Sequence, residues 1–320
     1  MLPQTASATF GELFLHEPDL FPGRIGGEAW GTEELRLDIA GGPYRLRGLS
    51  TAMHAVFERR LAPRLLPLEA AAHGEVVISL FRAPLGDFRE LYAEPWATSF
   101  ELDHAAHSVR LAGFRVAGRI DAIERSDRSE PPSGAIWFPE PDSEATLAAT
   151  IENFLRAVAA YRVAEQGGAL LHSAGILVEG EAWLFVGRSG AGKSTLSRLS
   201  AERGYEILSD ELNALWRKDG ELVIERMPFA GELGQSAGAR AWYPLAAVHT
   251  LRQGPEAARL PVSRAAALGE LAAAAPYLNV DPLRNERLLT NLEHLLERCP
   301  VGQLTFRLDS SFWDLLRGAR

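Results

Sequence analysis

The sequence predicts an α/β protein with two domains: a β-rich α+β domain over residues 1–130, and a second domain over residues 131–320 in which helices flank a mixed sheet. Three observations predict this class. Residues 33–122 alternate between apolar and polar side chains, as strands do. Residues 143–168 have the apolar spacing of a helix. Finally, the apolar stretch AWLFVG leads into a glycine-rich stretch that a helical pattern follows.

The first domain is predicted from its strand and turn signals. The segment LRLDIAGGPYRLRGL is typical of a hairpin around Gly41 and Gly42, and SVRLAGFRVAGRIDAI alternates again. One helix is expected at residues 51–66, with Pro63 as its stop signal. The polar segment ERSDRSEPPSG at residues 124–134 is typical of a loop, and we therefore place the domain boundary close to it.

The second domain is predicted from helical spacing, short apolar strands and glycine stop signals. A hairpin is expected at Asp219 and Gly220, and the last third is expected to be mostly helical. The predicted helices span residues 143–168, 194–203, 264–275 and 283–299, and the predicted strands before residue 210 span 169–178, 182–187 and 205–209.

Composition and charge exclude several classes of function. The net charge is −9 and Lys and Arg do not cluster, so we expect neither a nucleic-acid partner nor binding to an anionic membrane. The N-terminal residues lack a basic region followed by an apolar core, and no long apolar window follows. The single cysteine, Cys299, cannot form an internal disulfide, so we expect a cytoplasmic protein.

The glycine-rich stretch GRSGAGKST carries the strongest chemical signal. Gly187, Gly192, Lys193 and Ser194 satisfy the pattern GxxxxGK[ST], in which backbone N–H groups converge on phosphates and the lysine reaches them. Lys193 and Lys218 are the only lysines in an Arg-rich chain. The flanking strand and helix favour a nucleotide site over an ordinary glycine turn. The predicted nucleotide-binding residues are Gly187, Arg188, Ser189, Gly190, Ala191, Gly192, Lys193, Ser194 and Thr195.

The acidic pair Asp210 and Glu211 follows the glycine-rich stretch after one helix and one short strand. This short interval indicates a compact phosphate-binding plan rather than that of a large ATPase. A guanine-reading NKxD motif is missing, because neither lysine lies in one. The segment GELGQSAG resembles the LSGGQ phrase of transporter ATPases only faintly. Both classes are therefore disfavoured.

The chain resembles the HPr kinase/phosphorylase group of P-loop kinases and its HPr-kinase-like relatives over about residues 150–250. Residues 170–215 carry the resemblance: LLHSAGILVEGEAWLFVGRSGAGKSTLSRLSAERGYEILSDELNAL. His172 matches the family histidine, and Arg203 and Gly204 match the pair before the strand. Asp210 matches the proton-transfer acid, and Glu211 stands where the family usually has a second Asp.

The resemblance implies a cytoplasmic kinase domain of the HPr-kinase type. It implies that ATP is the phosphoryl donor, that Mg2+ is held by Ser194 and Glu211, and that the acceptor is a hydroxyl, a serine of a peptide or protein. Asp210 and His172 would be catalytic. Members of the family assemble as hexamers, so a homo-oligomer is also an option, although the sequence carries no interface signal.

The family phrase Glu-x-Arg-Gly-x-Gly, which is associated with dephosphorylation, is missing from this chain. MPFAGELGQSAGAR at residues 227–240 stands in its place, with Glu232 and Arg240 as distant counterparts. Glu232 completes the predicted catalytic set of Asp210, His172 and Glu232. Without the phrase, a phosphorylase reaction and HPr itself as acceptor are not predicted.

Two other functions stay open from the sequence. A small-metabolite kinase resembling shikimate kinase also places such a loop one helix before an acidic strand end. A regulatory module that senses ATP without catalysis would explain the missing phrase and the unassigned first domain. For His172, a satisfied core histidine is the simpler structural interpretation.

Overall fold

The computed structural model describes residues 27–69, 74–83, 101–113, 116–123, 133–139, 144–229, 231, 233, 238–297 and 299–318. Within these residues the protein has two sheets, each containing parallel and antiparallel pairs, and six helices. This is the mixed α/β class that the sequence predicts. The described residues form two compact units: unit 1 runs up to Asp38 and from Gly42 to Val158, and unit 2 comprises Ile39–Gly41 and the chain from Ala159 onward.

Unit 1 contains a sheet of nine strands in the order β4-β2-β3-β5-β9-β8-β7-β6, with β1 also paired to β5. Strand β5 is parallel to β3 and β9, and the other pairs are antiparallel. The strands are β1 (Glu28–Ala29), β2 (Glu33–Leu37), β3 (Tyr44–Leu49), β4 (Leu65–Leu66), β5 (Val76–Ala83), β6 (Glu101–Ala105), β7 (Ser108–Gly113), β8 (Val116–Asp121) and β9 (Ser133–Pro139).

The local signals of unit 1 are confirmed where the structure describes them. Strands β2 and β3 form the antiparallel hairpin expected around Gly41 and Gly42. Helix α1 (Thr51–Leu61) begins at Ser50, whose hydroxyl accepts the Met53 N–H at 3.1 Å, and Pro63 lies in the 3-10 turn that ends it. Strand β9 follows the boundary predicted near residue 130, and it pairs inside this sheet between β5 and β8.

Unit 2 contains a sheet of eight strands in the order β11-β10-β13-β14-β15-β17-β16, with β12 also on β10 and β11 also on β15. The pairs β11–β15 and β15–β17 are parallel, and the others are antiparallel. The strands are β10 (Ala169–Val178), β11 (Glu181–Val186), β12 (Glu206–Ser209), β13 (Leu212–Lys218), β14 (Glu221–Arg226), β15 (Trp242–Gln253), β16 (Ala258–Pro261) and β17 (Val301–Phe306).

The predicted helices of the second half are all present. They are α2 (Glu144–Glu165), α3 (Lys193–Glu202), α4 (Arg264–Ala273) and α5 (Asn285–Leu295), and a short α6 (Phe312–Arg317) follows. The chain passes from unit 1 to unit 2 within α2. The expectation of a mostly helical last third was incomplete, because β15, β16 and β17 also lie there. Strand β15 is buried mainly at its centre, where two neighbours flank it, so its residues show no simple alternation.

The core of unit 2 is aromatic and lies between its sheet and helices α3 and α6. Trp183 and Phe185 of β11 each meet Trp313 edge-on, with ring centroids 5.7 Å apart. The Trp313 indole N–H donates to the Ser200 hydroxyl of α3 at 2.9 Å. The segment SFWDLL therefore packs as a helix, and it supports the strand that precedes the glycine-rich stretch.

His249 is a buried histidine within this core. Its ring stacks between Trp183 and Phe185, with both centroids 5.7 Å away, and neither ring nitrogen has a hydrogen-bond partner within the described residues. Burial, with a smaller contribution from Arg259, lowers the pKa of His249 to about 4. The folded protein therefore keeps this imidazole neutral at neutral pH.

We expect His249 to make the protein sensitive to acid. In the unfolded chain His249 binds a proton near pH 6.5, whereas in the folded chain it does so only near pH 4. The free energy of unfolding is therefore unaffected by His249 above pH 6.5, and it falls by about 3 kcal/mol as the pH decreases from 6.5 to 4. Urea unfolding at a series of pH values should show that the free energy of unfolding decreases less at acidic pH for His249→Phe than for the natural chain. His294→Asn, at an exposed site in α5, is the control, and an equal loss in His249→Phe would contradict this assignment.

Candidate functional site

The ends of four strands bring the predicted site residues to one level of the unit 2 sheet. Strands β11 and β12 are both antiparallel to β10 and therefore run in the same direction, and β15 and β17 run with them. Val186, the last residue of β11, and the backbone of Glu211 lie on opposite sides of Ser173 in β10. Ligand sites of open α/β sheets form at such carboxyl ends.

The glycine loop, residues 187–192, joins β11 to α3 and depends on two left-handed backbone positions. Gly190 has φ of 77° and Gly192, the residue before α3, has φ of 99°. A Cβ at Gly192 would also lie 2.8 Å from the Phe306 ring at the end of β17. Both positions need glycine for the backbone angle, and Gly192 also needs it for space. The loop leads directly into the N-terminal turn of α3.

Lys193 is folded into this loop. Its side chain is nearly inaccessible, with the residue 6% exposed, and its Nζ donates to the Gly187 carbonyl at 2.9 Å and to the Arg188 carbonyl at 3.4 Å. Burial of an ammonium group is costly unless its donors are satisfied. The loop carbonyls therefore hold the charge of Lys193 at the N-terminal turn of α3, where an anion would also meet the positive end of the helix dipole.

The neighbouring strand ends support the glycine loop. The Gln253 amide, at the end of β15, donates to the Gly190 carbonyl at 3.0 Å. Gly187 packs against Leu251 so closely that a Cβ there would lie 3.3 Å from the Leu251 Cβ. Arg188, Ser189 and Gly190 form the exposed part of the loop, and Ser194 and Thr195 are half-buried in the first turn of α3.

Asp210 is a buried carboxylate directly after β12. It is 4% exposed, and its Oδ2 accepts the Leu233 N–H at 3.3 Å. Gly231 lies against the same carboxylate, and a Cβ at that position would overlap it. The Ser209 hydroxyl accepts the N–H groups of Glu211 and Leu212, each at 3.1 Å, so Asp210 lies at the tip of a tight turn, the Asp210 turn (residues 209–212).

Strand β10 separates the Asp210 turn from the glycine loop. The Ser173 N–H donates to the Glu211 carbonyl at 3.1 Å, and His172 pairs with Leu212 in the β10–β13 ladder. Because neighbouring strands lie about 4.8 Å apart, Val186 and the backbone of Glu211 are about 10 Å apart across Ser173 of β10. His172 therefore lies on the strand between the glycine loop and the acidic pair. Its side chain is half-buried, and Glu211 lies on the neighbouring segment.

Other residues matched to the family have structural contacts. Arg203 lies at the far end of α3 from the glycine loop, where it donates to the Ser310 carbonyl at 2.9 Å and pairs with Asp314. Arg240 donates to the fully buried Glu225 carboxylate at 2.6 and 3.2 Å. Lys218 lies in the exposed hairpin turn with its Nζ 3.7 Å from the Trp242 ring centroid. Glu232 lies outside the described residues.

The structure adds Asn213, which the sequence analysis did not select. Its buried amide donates to the Ser173 carbonyl at 2.9 Å, to the Ser173 hydroxyl at 3.0 Å and to the Ser209 carbonyl at 3.4 Å. Gly175 gives it room, because a Cβ there would overlap the amide. Asn213 therefore joins β10 to the Asp210 turn. The one signal for it was a polar residue inside the apolar run LNAL.

Loss of the Asn213 amide should destabilise the folded protein. Asn213→Ala leaves the Ser173 and Ser209 carbonyls without this buried donor, and we expect a decrease of about 1–3 kcal/mol in the free energy of unfolding. Urea unfolding would measure it. Asn279→Ala removes an amide whose hydrogen bond to Ala273 is exposed, and should cost less than about 0.5 kcal/mol. Equal effects of the two substitutions would show that the buried network is unimportant.

The residues at the glycine loop suit a magnesium nucleotide. Mg2+ in such sites takes only one or two protein ligands, together with phosphates and water. Such a site does not need protein side chains to supply most of the metal ligands. The described residues contain no group of three or more His, Cys, Asp or Glu side chains arranged for a metal ion. The donor set that is present, with Lys193, the helix start and the Ser194 hydroxyl, fits an anion with a hard cation.

Comparison with known proteins adds no family assignment. No protein-family model matches the chain, and no curated protein sequence matches it. Among the helices that the structure describes, none combines the length and the apolar character needed to cross a bilayer.

Proposed function

We propose that the protein is an ATP-dependent kinase of the HPr-kinase-like type that transfers a phosphoryl group to a hydroxyl, a serine of a peptide or protein. One observation carries this proposal. A glycine loop that holds a buried lysine and a turn that holds a buried aspartate lie at the same level of the sheet, with a single strand between them. The glycine loop is suited to bind phosphates, and the aspartate of the turn is suited to accept a proton.

The glycine loop would bind the phosphates through its backbone and Lys193. The left-handed residues Gly190 and Gly192 allow successive N–H groups to point to one concave side, and the start of α3 adds its dipole. Lys193 would exchange its bonds to the loop carbonyls for phosphate oxygens. Such contacts position the transferred group and stabilise charge, which is most of what phosphoryl transfer requires of a protein.

Ser194 and Glu211 would hold the metal. Ser194 lies in the first turn of α3, and the Glu211 backbone is bonded to β10, one strand from the loop. When bound, Mg2+ would neutralise charge on the phosphate oxygens. Glu211 is longer by one methylene than the aspartate common in the family that the sequence resembles, so its carboxylate would reach further from the backbone.

Asp210 would accept the proton of the acceptor hydroxyl. The Leu233 N–H bond to Oδ2 and the Asp210 turn fix the carboxylate, which satisfies the need for a base with a defined position. The separation of about 10 Å between Val186 and the backbone of Glu211 leaves space for a phosphoryl group and an acceptor between the glycine loop and the Asp210 turn. His172, on the intervening strand, would orient Asp210 or share its proton.

Asp210→Asn tests the assignment. We expect phosphoryl transfer to fall by about 100- to 10,000-fold, because the amide cannot accept the proton, while the ATP dissociation constant changes less than about twofold. Asp219→Asn, in an exposed hairpin turn, is the matched control and should retain full activity. The assay uses γ-labelled ATP with separate peptide and metabolite pools. Unchanged turnover in Asp210→Asn would remove Asp210 from the mechanism.

The same assay separates the alternative functions. Label that appears only in the small-molecule pool would favour a small-metabolite kinase of the shikimate-kinase-like plan. ATP binding without transfer to either pool, with the cognate partner supplied, would favour a module that senses ATP. Label on serine in the peptide pool is the outcome that the leading proposal requires.

Gly231→Ala tests whether the position of Asp210 matters. A methyl group at residue 231 would overlap the Asp210 carboxylate and displace it, so we expect at least a tenfold decrease in kcat with unchanged ATP affinity. Gly269→Ala, in α4, is the control, because a Cβ there meets open space. If Gly231→Ala keeps its full kcat while nucleotide binding is also normal, the contact with Gly231 does not position the carboxylate.

A further inference from the structure

A side-chain hydrogen bond joins the exposed part of the glycine loop to the end of β15. The Gln253 amide nitrogen, Nε2, donates to the Gly190 carbonyl at 3.0 Å, across 63 positions of the chain. The same nitrogen lies close to Gly192, because a Cβ added there would be 3.3 Å from it. Gln253 is the last residue of β15. The bond therefore depends on how far this strand extends along the sheet.

The strand ladders place Gln253 beside the loop. In the parallel β11–β15 ladder, the last residue of β11, Val186, pairs with Thr250, so β15 continues three residues beyond β11. At about 3.3 Å per residue, this extension reaches about 10 Å past the end of β11. Strand β17 accompanies it, with Phe306 paired to Gln253. Gln253 is therefore held by a strand neighbour at the point where the glycine loop leaves β11.

Alternate residues of this extension contact the loop. Leu251 and Gln253 lie on the same face of β15, because side chains alternate along a strand. A Cβ at Gly187, the first residue of the loop, would be 3.3 Å from the Leu251 Cβ, and Gln253 bonds to Gly190 three residues later. Strand β15 thus contacts the loop by apolar packing at its start and by a hydrogen bond in its exposed part.

The bond from Gln253 fixes the direction of one peptide group of the loop. In a planar trans peptide the C=O and N–H groups point in opposite directions. The Gly190 carbonyl faces Gln253, and the Ala191 N–H of the same peptide group donates to the Arg188 carbonyl at 3.0 Å. Both ends of this peptide group are therefore bonded. Because a carbonyl oxygen repels an anion, a loop that binds phosphate needs its carbonyls to be bonded elsewhere.

We propose that Gln253 is a positioning residue of the nucleotide site, whose amide holds the glycine loop in the shape that binds phosphates. This inference rests on the proposed function. Lys193 would exchange its loop carbonyls for phosphate oxygens, whereas the uncharged Gln253 amide can keep its bond to Gly190 while phosphate is bound. Because Gln253 acts through the loop, it should affect the binding of any polyphosphate and leave proton transfer at Asp210 unchanged.

Gln253→Met tests this role, because methionine has a similar length and no N–H donor. Binding of ATP and of inorganic tripolyphosphate, each with Mg2+, is measured by titration calorimetry on the full chain. We expect both ligands to bind about 3- to 10-fold more weakly, since the loop loses a hydrogen bond that shapes it. In the kinase assay the KM for ATP should rise by the same factor, while kcat changes less than about twofold.

Gln253→Glu separates the hydrogen bond from packing. Glutamate has the shape of glutamine, but its ionised carboxylate cannot donate to the Gly190 carbonyl and adds negative charge beside the phosphates. We expect it to weaken both ligands more than Gln253→Met does. Binding as tight as that of the natural chain would show that the amide donor is unimportant.

Gln303→Met is the matched control. Gln303 is a half-buried glutamine of β17, paired with Thr250. It lies three residues before Phe306, so the alternation of side chains places it on the opposite face of the sheet from Phe306 and Gln253. Its substitution should leave both affinities within about twofold of those of the natural chain.

Limited proteolysis gives a measurement that needs no nucleotide. Arg188 lies in the exposed part of the loop, and trypsin cleaves after arginine. A loop that has lost its bond to β15 should open more often, so we expect cleavage after Arg188 to be about 3- to 10-fold faster in Gln253→Met and unchanged in Gln303→Met. Mass spectrometry of the fragments identifies the cleaved bond.

The outcomes separate the inference from the proposed function. If the natural chain binds both ligands and Gln253→Met binds them as tightly, Gln253 does not position the loop, and the nucleotide site stands. The inference is also wrong if Gln253→Met weakens ATP alone, which indicates a nucleoside contact, or lowers kcat without raising the KM for ATP. If the natural chain binds neither ligand, the proposed function fails, whereas faster cleavage of Gln253→Met after Arg188 would still support the anchoring of the loop.

Discussion

The pairing of strand β10 with β11 on one side and β12 on the other is the constraint on which the candidate site depends. Because both neighbours are antiparallel to β10, they run in the same direction, and they end within two residues of each other along β10, β11 opposite Ser173 and β12 opposite Gly175. The glycine loop follows one of them and Asp210 follows the other. A shift of one residue in either ladder would reverse which side chains face the core, and it would also move the loop relative to the carboxylate.

Buried polar groups make this arrangement specific. Lys193, Asp210 and Asn213 are all buried, and each is held by hydrogen bonds to backbone groups of another segment. A buried donor or acceptor without its partner costs more than a hydrogen bond gains, so the network favours one register of loop, turn and strand. The aromatic core beneath, with Trp313 against β11, supports the same strand end.

Local signals predicted much of the secondary structure and few of the pairings. Helices α2, α3, α4 and α5 follow from apolar spacing and glycine stops, which act within a few residues. Strands β15 and β17 were missed. The burial of β15 does not alternate, and its parallel partners β11 and β17 lie more than fifty residues away from it in the chain. Strand β9 was missed for the same reason. Its neighbour β5 lies more than fifty residues earlier in the chain, and the predicted loop lies between β9 and its other neighbour, β8.

The sequence by itself determined the chemical character of the site: a glycine pattern that permits left-handed backbone, one lysine where the helix starts, and an acidic pair one helix and one strand later. Only the tertiary structure decided which of these residues meet. It showed that Gly231 and Leu233 hold Asp210, that Asn213 ties the turn to β10, and that Arg203 and Arg240 contact other carboxylates. The physical reason is range: backbone preference and charge are local properties of the chain, whereas buried hydrogen bonds depend on segments that only folding brings together.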